Sequence, residues 1–252
     1  IRPLRMSRGL GDVYKRQARR HENDLPNVAL VGYTNAGKST LMNRLLDQFG
    51  VGSELSESKQ VFEKDMLFAT LNTTVRQLTL PDKKQFLLSD TVGFVSKLPH
   101  NLVAAFKSTL QEAANADLLL HVVDVSDEHY KDMMATTEKT LSEVGVTDVP
   151  MITIYNKADR TELVYPELSG ENAITISALD SDSQIALIDL IKQHIFNDVE
   201  TVTLKISFDQ GAIQAQLASK HTFLSETYDE TGALLTVELS KLERELFTKY
   251  TV

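Results

Sequence analysis

The 252-residue sequence has no cysteine and no tryptophan, and no apolar run approaches the roughly 18 residues that a membrane-spanning helix needs. The missing cysteines exclude a disulfide scaffold, and the sequence shows no signal-peptide pattern. We therefore expect a soluble, cytoplasmic protein with no membrane span. A hydrophobic content of 42 % is enough for one domain of ordinary size, with residues left over.

Basic residues are also scarce, with 26 Lys and Arg against 35 Asp and Glu and a net charge of −9. Seven of the basic residues and one of the acidic residues lie within residues 1–20, so residues 21–252 carry 19 basic and 34 acidic groups, a net charge of −15. A protein that binds RNA through a broad basic face is expected to show the opposite balance. The main part of the chain is therefore not expected to be the principal RNA-binding surface.

What the sequence does contain is a glycine-rich loop between an apolar run, residues 28–31, and a helix-like stretch. The loop reads G-Y-T-N-A-G-K-S. Its spacing, from Gly32 through Ala36 to Gly37, lets consecutive backbone N–H groups surround a phosphate at a helix N-terminus. Lys38 then supplies charge to the β- and γ-phosphates, and the Ser39 hydroxyl is placed to bind Mg²⁺. The pattern predicts a nucleoside triphosphate site.

A second motif, D-T-V-G, ends the next apolar run, residues 86–88. Its first residue, Asp90, lies at the carboxyl end of a predicted strand, where the carboxylate can hold a water molecule on Mg²⁺. The backbone N–H of Gly93 can then reach the γ-phosphate. The motif predicts the second switch of a nucleotide-hydrolysing protein.

Two later segments predict which base is bound. N-K-A-D follows the strand-like residues 151–155, and S-A-L follows the apolar residues 173–176. The Asp159 carboxylate can accept both N–H bonds of the guanine N1 and N2 edge, which adenine does not offer, and the Ala178 backbone N–H is expected near guanine O6. The expected base-binding residues are Asn156, Lys157, Asp159, Ser177, Ala178 and Leu179. All four motifs in this order predict a GTPase.

The first switch is less sharply defined. A polar stretch, residues 50–65, is followed by L-F-A-T-L-N-T-T, and a loop of this length is usually functional or disordered. One of its threonines is expected to bind Mg²⁺ through the hydroxyl and to touch the γ-phosphate, so that the loop orders when GTP is bound. Thr74 is the first choice, Thr73 the second, and Thr70 a more distant candidate.

Several segments together resemble the HflX family of ribosome-associated GTPases. They are L-F-A-T-L, the run D-T-V-G-F-V-S-K-L-P-H-N-L-V-A-A-F-K-S-T-L-Q-E, the loop G-Y-T-N-A-G-K-S-T and L-L-L-H-V-V-D. The resemblance covers about residue 27 to the C-terminus. It implies binding of GTP and GDP, and association with the large (50S) ribosomal subunit near its functional centre. It also implies splitting of stalled or idle ribosomes, often under stress. We expect a monomer.

The resemblance also implies roles for single residues. Phosphate contacts fall to Asn35, Gly37, Lys38, Ser39 and Thr40. Mg²⁺ contacts fall to Ser39 and Thr74, with Asp90 acting through water. The residues expected to act directly in hydrolysis are Lys38, Thr74, Asp90 and Gly93.

Two positions depart from the expected patterns. The family usually has Asp-Pro before the first-switch threonine, whereas this chain has Asn72 and Thr73, which should loosen the turn. Many small GTPases place a water-orienting Gln after D-x-x-G, but Phe94 stands here, so we expect slow hydrolysis that depends on the ribosome, the switch backbone or a bound cation. Asn35 corresponds to an asparagine that binds K⁺ in similar bacterial GTPases; a purely structural backbone bond is the alternative.

Strands alternate with helical patterns, which predicts an α/β P-loop NTPase fold, a three-layer and mostly parallel sheet with the nucleotide at the carboxyl edge. The predicted strands are 28–33, 75–80, 85–89, 118–123, 151–155 and 173–176, and the predicted helices are 101–114, 128–144 and 183–196. A small α+β domain follows, with strand 202–208, helix 211–218 and hairpin strands 221–228 and 234–239. The expected divisions are a segment 1–26, a G domain 27–198 and a C-terminal domain 199–252, which is either an interaction module or a passive lid.

Residues 1–17 do not resemble the family, and M-S-R-G-L-G-D-V-Y-K-R-Q looks like translated adapter sequence. The alternative is a basic arm that binds RNA phosphates. Family members carry an N-terminal subdomain ahead of a basic helical segment, and this sequence lacks that subdomain. We therefore expect an incomplete protein.

Other interpretations stay open for the function and for the histidines. A GTP-sensing scaffold with negligible turnover would account for Phe94, and a tRNA-modification or ribosome-assembly GTPase would share the loop chemistry but not the L-P-H-N-L-V-A-A-F segment. His121, inside an apolar strand, is expected to be a core residue with satisfied hydrogen bonds. His100 is expected to pack against or cap the following helix, with a catalytic or RNA-facing role as the alternative.

Overall fold

The computed structural model describes residues 25–50, 74–91, 93 and 113–252. Several predictions therefore lie outside the described residues. They concern residues 1–24, Thr70, Thr73, Phe94, His100 and most of the helix at 101–114, of which the structure describes the helical residues 113–115. The described chain divides into two compact units, and the first contains the residues up to Leu78 together with Gln85–Ile191.

The first unit is built on a seven-stranded sheet. Its strands are β1 (Asn27–Gly32), β2 (Thr74–Thr79), β3 (Gln85–Asp90), β4 (Leu118–Asp124), β5 (Met151–Asn156), β6 (Glu167–Leu168) and β7 (Ala173–Thr175). The strand order is β2-β3-β1-β4-β5-β7-β6. The neighbouring pairs β3–β1, β1–β4, β4–β5 and β5–β7 are parallel, and β6 is antiparallel to β7. The mostly parallel α/β prediction is confirmed.

The central strands β1 and β4 are buried along nearly their whole length, and most of their residues are apolar. All residues of β1 after Asn27 are buried, as are the first six residues of β4. A strand that is covered on both faces has no need for an alternating pattern, which is why these segments appear in the sequence as continuous apolar runs. The helices of this unit are α1 (Lys38–Phe49), α2 (Tyr130–Glu143) and α3 (Ser181–Ile195). The structure therefore supplies a rigid sheet whose strand ends position the loops.

The second unit consists of Thr79–Lys84 and Lys192–Val252. Its sheet contains β8 (Glu200–Ser207), β9 (Phe223–Tyr228) and β10 (Gly232–Leu239), with β10 in the middle and antiparallel to both neighbours. Two helices complete it, α4 (Gly211–Lys220) and α5 (Lys241–Phe247). The core of this unit packs Leu204, Ile206, Leu217, Leu235 and Val237 together with their neighbours. Most of its elements agree with the predicted C-terminal α+β module.

The short segment Thr79–Lys84 is held within the second unit by its charged side chains. Lys83 Nζ donates to the backbone oxygens of Ala218, at 2.5 Å, and His221, at 3.3 Å. Lys84 Nζ lies 2.6 Å from Glu238 Oε2, and Lys192 Nζ lies 2.6 Å from Asp82 Oδ2. This segment is the turn between β2 and β3, so the second unit contains residues from two separate parts of the sequence.

Two elements were not predicted. The edge strand β6 is two residues long and exposed, so it has no apolar pattern to detect. Helix α5 begins with a capping box, in which the Ser240 hydroxyl accepts from the Glu243 N–H and the Glu243 carboxylate accepts from the Ser240 N–H. The S-x-x-E pattern that marks such a box is present in the sequence. None of the helices that the structure describes is long and apolar enough to span a membrane.

Candidate nucleotide site

The strand order brings the predicted motifs to one edge of the sheet. Strand β1 lies between β3 and β4, and β5 lies beside β4. In register, Leu30 pairs with Asp90, Gly32 with Val122, and Asp124 with Asn156. Because these strands are parallel, their carboxyl ends and the loops that follow them lie together. The motif residues that the structure describes are all in the first unit.

The phosphate loop has a backbone that its glycines make possible. Gly32 has φ 147° and Gly37 has φ 97°. A Cβ on Gly32 would lie 2.2 Å from the Val122 carbonyl oxygen, and a Cβ on Gly37 would lie 2.3 Å from Asn156 Nδ2. Helix α1 begins at Lys38, directly after Gly37. The loop is therefore packed tightly against β4 and the end of β5 before it enters the helix, and the order of strand, loop and helix is the one that the sequence predicted.

Lys38 is buried inside the loop, with 7 % of its surface exposed. Its Nζ donates to the carbonyl oxygens of Gly32, at 3.0 Å, and Tyr33, at 2.8 Å. Burial lowers the pKa of Lys38 to about 8, and the nearby Asp90 carboxylate opposes this shift. The ammonium is held by neutral carbonyls and one carboxyl group, so an anionic phosphate would gain strongly from its charge.

Ser39 and Asp90 form the predicted metal side of the loop. The Ser39 hydroxyl donates to Asp90 Oδ2 at 2.8 Å. Asp90 is 1 % exposed, and its Oδ1 has no hydrogen-bond partner among the described residues. Burial raises the pKa of Asp90, while Lys38 and the Ser39 hydroxyl act in the opposite direction. A buried carboxylate oxygen without a partner, next to a hydroxyl, fits the oxygen ligands that Mg²⁺ prefers.

No protein-only metal cage exists in the described part of the chain, since no group of three or more His, Cys, Asp and Glu residues lies together there.

Asn156 joins the phosphate loop to the second base-binding segment. Its Nδ2 donates to the Ala36 carbonyl oxygen at 2.9 Å, and its Oδ1 accepts from the Ala178 N–H at 3.0 Å. A trans peptide unit is planar with C=O and N–H on opposite sides. Because Asn156 holds the Ala36 carbonyl, the N–H of Gly37 points away from Asn156. One buried side chain therefore sets the orientation of a phosphate-loop amide and the position of Ala178.

Lys157 lies across the outer side of the phosphate loop. Its Nζ donates to the Asn35 carbonyl oxygen at 2.7 Å and lies 2.6 Å from Asp124 Oδ2. Burial raises the pKa of Asp124, but hydrogen bonds from Lys157 and Ser126 outweigh it and leave the pKa below its usual value. Asp124 was not predicted as a site residue. Its signal in the sequence is that it ends the apolar run L-L-L-H-V-V-D, one of the segments that resemble the HflX family.

The base-binding segments are held together by their backbones. Asp159 lies in a single 3-10 turn, Ala158–Arg160, and the Ala158 N–H donates to the Ile176 carbonyl oxygen at 3.1 Å. The Asp159 carboxylate is exposed rather than buried. The Ala178 N–H, expected near guanine O6, here donates to Asn156. Ser177 is buried, and its hydroxyl accepts from the Leu179 N–H at 3.3 Å.

The remaining predicted residues are placed as follows. Thr40 is half-buried in the first turn of α1. Thr74 is the first residue of β2. Gly93 lies against the phosphate loop, where a Cβ would be 3.0 Å from Lys38 Nζ and 2.9 Å from Thr34 Cγ2. The structure therefore brings Gly93 to Lys38, as a γ-phosphate contact would require.

A cavity of about 200 Å³ lies between the phosphate loop, the end of β4 and α2, and its lining includes Thr34, His121 and Met133. His121 is buried, as predicted, with 1 % of its surface exposed. Its Nδ1 has no hydrogen-bond partner among the described residues, which differs from the expected satisfied core histidine. Burial, with a smaller contribution from the Lys38 charge, lowers the pKa of His121 to about 4. This histidine is therefore neutral near pH 7.

The sequence has close relatives. Residues 27–157 match the protein family described as "50S ribosome-binding GTPase". The chain is 40 % identical over 223 residues to GTPase HflX of Caldanaerobacter subterraneus subsp. tengcongensis, covering 88 % of this chain and 49 % of that protein. It is 40 % identical over 216 residues to GTPase HflX of Lacrimispora saccharolytica, covering 84 % of this chain and 48 % of that protein. The chain thus spans about half the length of these curated relatives.

A solved structure has the same fold. A GTP-binding protein from the hyperthermophilic archaeon Sulfolobus solfataricus, in complex with GDP, superimposes with a TM-score of 0.50 at 24 % identity, covering 75 % of this chain and 58 % of that one. At this identity the likeness concerns the fold alone, which is that of a G domain. The family match covers more than half of the sequence and agrees with the resemblance of its motifs. The chain therefore belongs to the 50S ribosome-binding GTPase family and, within it, to the HflX GTPases.

Proposed function

We propose that the protein is a GTP-hydrolysing switch that associates with the 50S ribosomal subunit. The observation that carries the proposal is the double hydrogen bond of Asn156, which joins the phosphate loop at Ala36 to the base-binding segment at Ala178. A site that ties these two loops together is built to bind the base and the phosphates of one ligand. The family membership and the Asp159 motif make that ligand GTP or GDP.

In the proposed reaction, water attacks the γ-phosphorus, and the bond from that phosphorus to the β–γ bridging oxygen breaks to give GDP and phosphate. Lys38 binds the β- and γ-phosphate oxygens, and the Gly93 N–H donates to the γ-phosphate. The loop amides, including that of Gly37, bind the remaining phosphate oxygens. These groups stabilise the charge that moves towards GDP as the bond breaks.

Magnesium fits the pair formed by Ser39 and Asp90. Ser39 would bind Mg²⁺ through its hydroxyl, Asp90 through a water molecule, and Thr74 through its hydroxyl once the first switch is ordered. When bound, the ion neutralises charge on the β- and γ-phosphates. The orphaned Oδ1 of Asp90 is the feature of the described residues that supports this assignment.

Hydrolysis in the isolated protein is proposed to be slow. Phe94 stands where many GTPases have a water-orienting Gln, and a phenyl ring cannot hold water by hydrogen bonding. A further group is then needed, supplied by the ribosome, by the switch backbone or by K⁺ bound at Asn35. Asn35 is exposed in the phosphate loop and has a left-handed backbone, with φ 62°.

The proposed output is ribosome association under stress, with splitting or rescue of stalled or idle ribosomes. The relatives named GTPase HflX and the family description support the 50S subunit as the partner. The net charge of −15 over residues 21–252 argues that this part of the protein makes selective contacts rather than a broad electrostatic one.

A second candidate is a GTP-sensing scaffold with negligible turnover, and Phe94 is the feature that favours it. The two candidates differ in whether phosphate is released. GTP turnover should therefore be measured with and without purified 50S subunits, first in potassium and then in sodium buffer, with Lys38→Ala as the blank. Stimulation by 50S subunits or by potassium supports the switch. Tight GTP binding without turnover under all four conditions would overturn the switch and favour the scaffold.

A further inference from the structure

Asp124, at the end of β4, belongs to none of the GTPase motifs, yet both of its carboxylate oxygens are occupied. Oδ1 accepts from the Ser126 N–H at 3.0 Å and from the Ser126 hydroxyl at 2.6 Å. Oδ2 lies 2.6 Å from Lys157 Nζ. One oxygen therefore holds the turn that follows β4, and the other holds the lysine of the base-binding motif.

Lys157, which contacts Asp124, also contacts the phosphate loop. Lys157 Nζ donates to the Asn35 carbonyl oxygen at 2.7 Å, so Asp124, Lys157 and Asn35 form a chain of two charge-assisted contacts. Both ends of the second contact have unusual backbones, since Asn35 has φ 62° and Lys157 has φ 64°. A non-glycine residue in the left-handed region is strained and persists only where its surroundings enforce it.

The contacts from Asp124 through Lys157 to Asn35 act together with a contact at the next residue of the phosphate loop. Asn156 holds the Ala36 carbonyl, and Lys157 holds the Asn35 carbonyl. Two consecutive carbonyls of the phosphate loop are thus drawn outward by two consecutive residues of β5 and its loop. Because peptide units are planar, the orientation of these carbonyls decides where the loop amides point. The loop shape that phosphates require depends on both contacts.

We propose that Asp124 is a positioning residue for nucleotide binding, which holds the Lys157 ammonium against the Asn35 carbonyl and thereby fixes the phosphate loop. The proposal rests on the function proposed above. Asp124 touches neither base nor phosphate in this assignment, so its effect is transmitted to the β-phosphate through the loop. Without the carboxylate, the ammonium is free to turn to solvent or to the nucleotide, and Asn35 loses the contact that stabilises its backbone.

The variant Asp124→Ala tests this directly. Losing the outer contact should weaken GDP binding by about tenfold, the lower end of the loss expected for one charge-assisted hydrogen bond, because Asp124 acts only through Lys157. Because the effect acts through the phosphate loop, it should be the same for GDP and XDP. Titration with fluorescent GDP and competition with XDP measure both affinities, and thermal unfolding without nucleotide measures stability separately.

The chain contains a matched control. Asp229 in the second unit has the same arrangement, with Lys205 Nζ 2.6 Å from Oδ2, and with the N–H and hydroxyl of Thr231 both 2.7 Å from Oδ1. Asp229→Ala should leave GDP affinity unchanged. Ser126→Ala removes a hydrogen bond of the Asp124 turn while leaving the Lys157 contact, so it should bind GDP as the unmodified protein does.

A double-mutant cycle separates positioning from general destabilisation. If Asp124 acts through Lys157, then Asp124→Ala combined with Lys157→Ala should bind GDP as weakly as Lys157→Ala alone. Fully additive losses, or a fall in unfolding temperature with unchanged GDP affinity, would overturn the proposal. If the unmodified protein itself fails to bind GDP, the proposed function fails, and the positioning role fails with it. Binding by the unmodified protein that Asp124→Ala leaves unchanged overturns the positioning role alone.

Discussion

The two carboxylates at the strand ends beside the phosphate loop differ in how completely they are hydrogen-bonded. Strand β1 lies between β3 and β4, so Asp90 flanks the loop on one side and Asp124 on the other. Asp90 has an orphaned oxygen among the described residues, and its pKa is raised by burial. Asp124 has both oxygens engaged, and its hydrogen bonds keep its pKa low although burial opposes them. A carboxylate with an oxygen free of hydrogen bonds is available to a ligand, whereas one with both oxygens hydrogen-bonded stabilises the structure around it.

The same contrast extends to the base side. The phosphate loop is held by Asn156 and Lys157, and Lys38 is buried within it. Asp159 is exposed on a single 3-10 turn. The phosphate side is therefore fixed by contacts within the protein, whereas the discriminating carboxylate on the base side is exposed. Changes on the two sides should consequently separate affinity from base preference.

The variant Asp159→Asn should have the largest effect, which is on the preference for the guanine base. The substitution replaces one charged acceptor by an amide donor and leaves the other acceptor uncharged, so the preference for GTP over XTP should fall by about a thousandfold. Competition binding with GTP and XTP measures the ratio. An unchanged ratio would show that the guanine assignment is wrong, and Asp182→Asn, an exposed acid in the first turn of α3, is the control.

Lys38→Ala should weaken binding on the phosphate side without altering base preference. Losing one charge-assisted contact at about 1.5–3 kcal/mol corresponds to a loss of roughly 10- to 150-fold in GDP and GTP affinity. GTP and XTP should be affected equally, which distinguishes this variant from Asp159→Asn. Calorimetric titration measures the affinities, with the exposed Lys139→Ala as control. Retained affinity would mean that the buried lysine does not meet phosphate.

Asp90→Asn should act through the metal. An outer-shell carboxylate that orients a metal-bound water typically contributes about 10- to 100-fold to metal affinity or activity. We expect the Mg²⁺ concentration for half-maximal GTP binding to rise within this range, while GDP binding measured with EDTA changes little. A GTP titration at several Mg²⁺ concentrations tests this, and an unchanged Mg²⁺ requirement would remove Asp90 from the metal site.

The smallest expected effect is on pH dependence. The pKa of Lys38 is about 8 without ligand, and contact with phosphate favours the charged form and raises it. Nucleotide binding must therefore take up a proton when the pH is above this value, and affinity falls as pH rises through it. At pH 8 roughly half a proton should be taken up per GDP bound. Calorimetry in two buffers of different ionisation enthalpy measures this number, and Lys38→Ala should abolish it.

The sequence was sufficient for the elements that rely on local pattern. The central strands, α2, α3 and most elements of the second unit were found within a few residues of their observed ends, because apolar runs and helical periods are written into neighbouring residues. The short strand β6 was missed because exposed residues in a two-residue edge strand carry no pattern. Helix α5 was missed although its capping box was present in the sequence.

Only some residues of the candidate site could be predicted from the sequence. Lys38, Ser39, Asp90 and Asn156 could be predicted because a known motif fixes their spacing. Asp124 could not, since its partners Lys157 and Asn35 are distant in sequence and the contact exists only after β4 and β5 pair. That His121 Nδ1 finds no partner among the described residues is likewise a property of the folded surroundings and not of the apolar run that contains it.

The turn at Thr79–Lys84 has a practical consequence for dividing the protein. Lys83 and Lys84 bond to Ala218 and Glu238, although more than a hundred residues separate them in sequence. A gene fragment that ends before Lys192 would encode this turn without its partners. A fragment that begins there would encode the second unit with one of its own pieces missing. The second unit is interleaved with the first along the gene, so a stretch of sequence that encodes all of the second unit must also encode Gln85–Ile191 of the first.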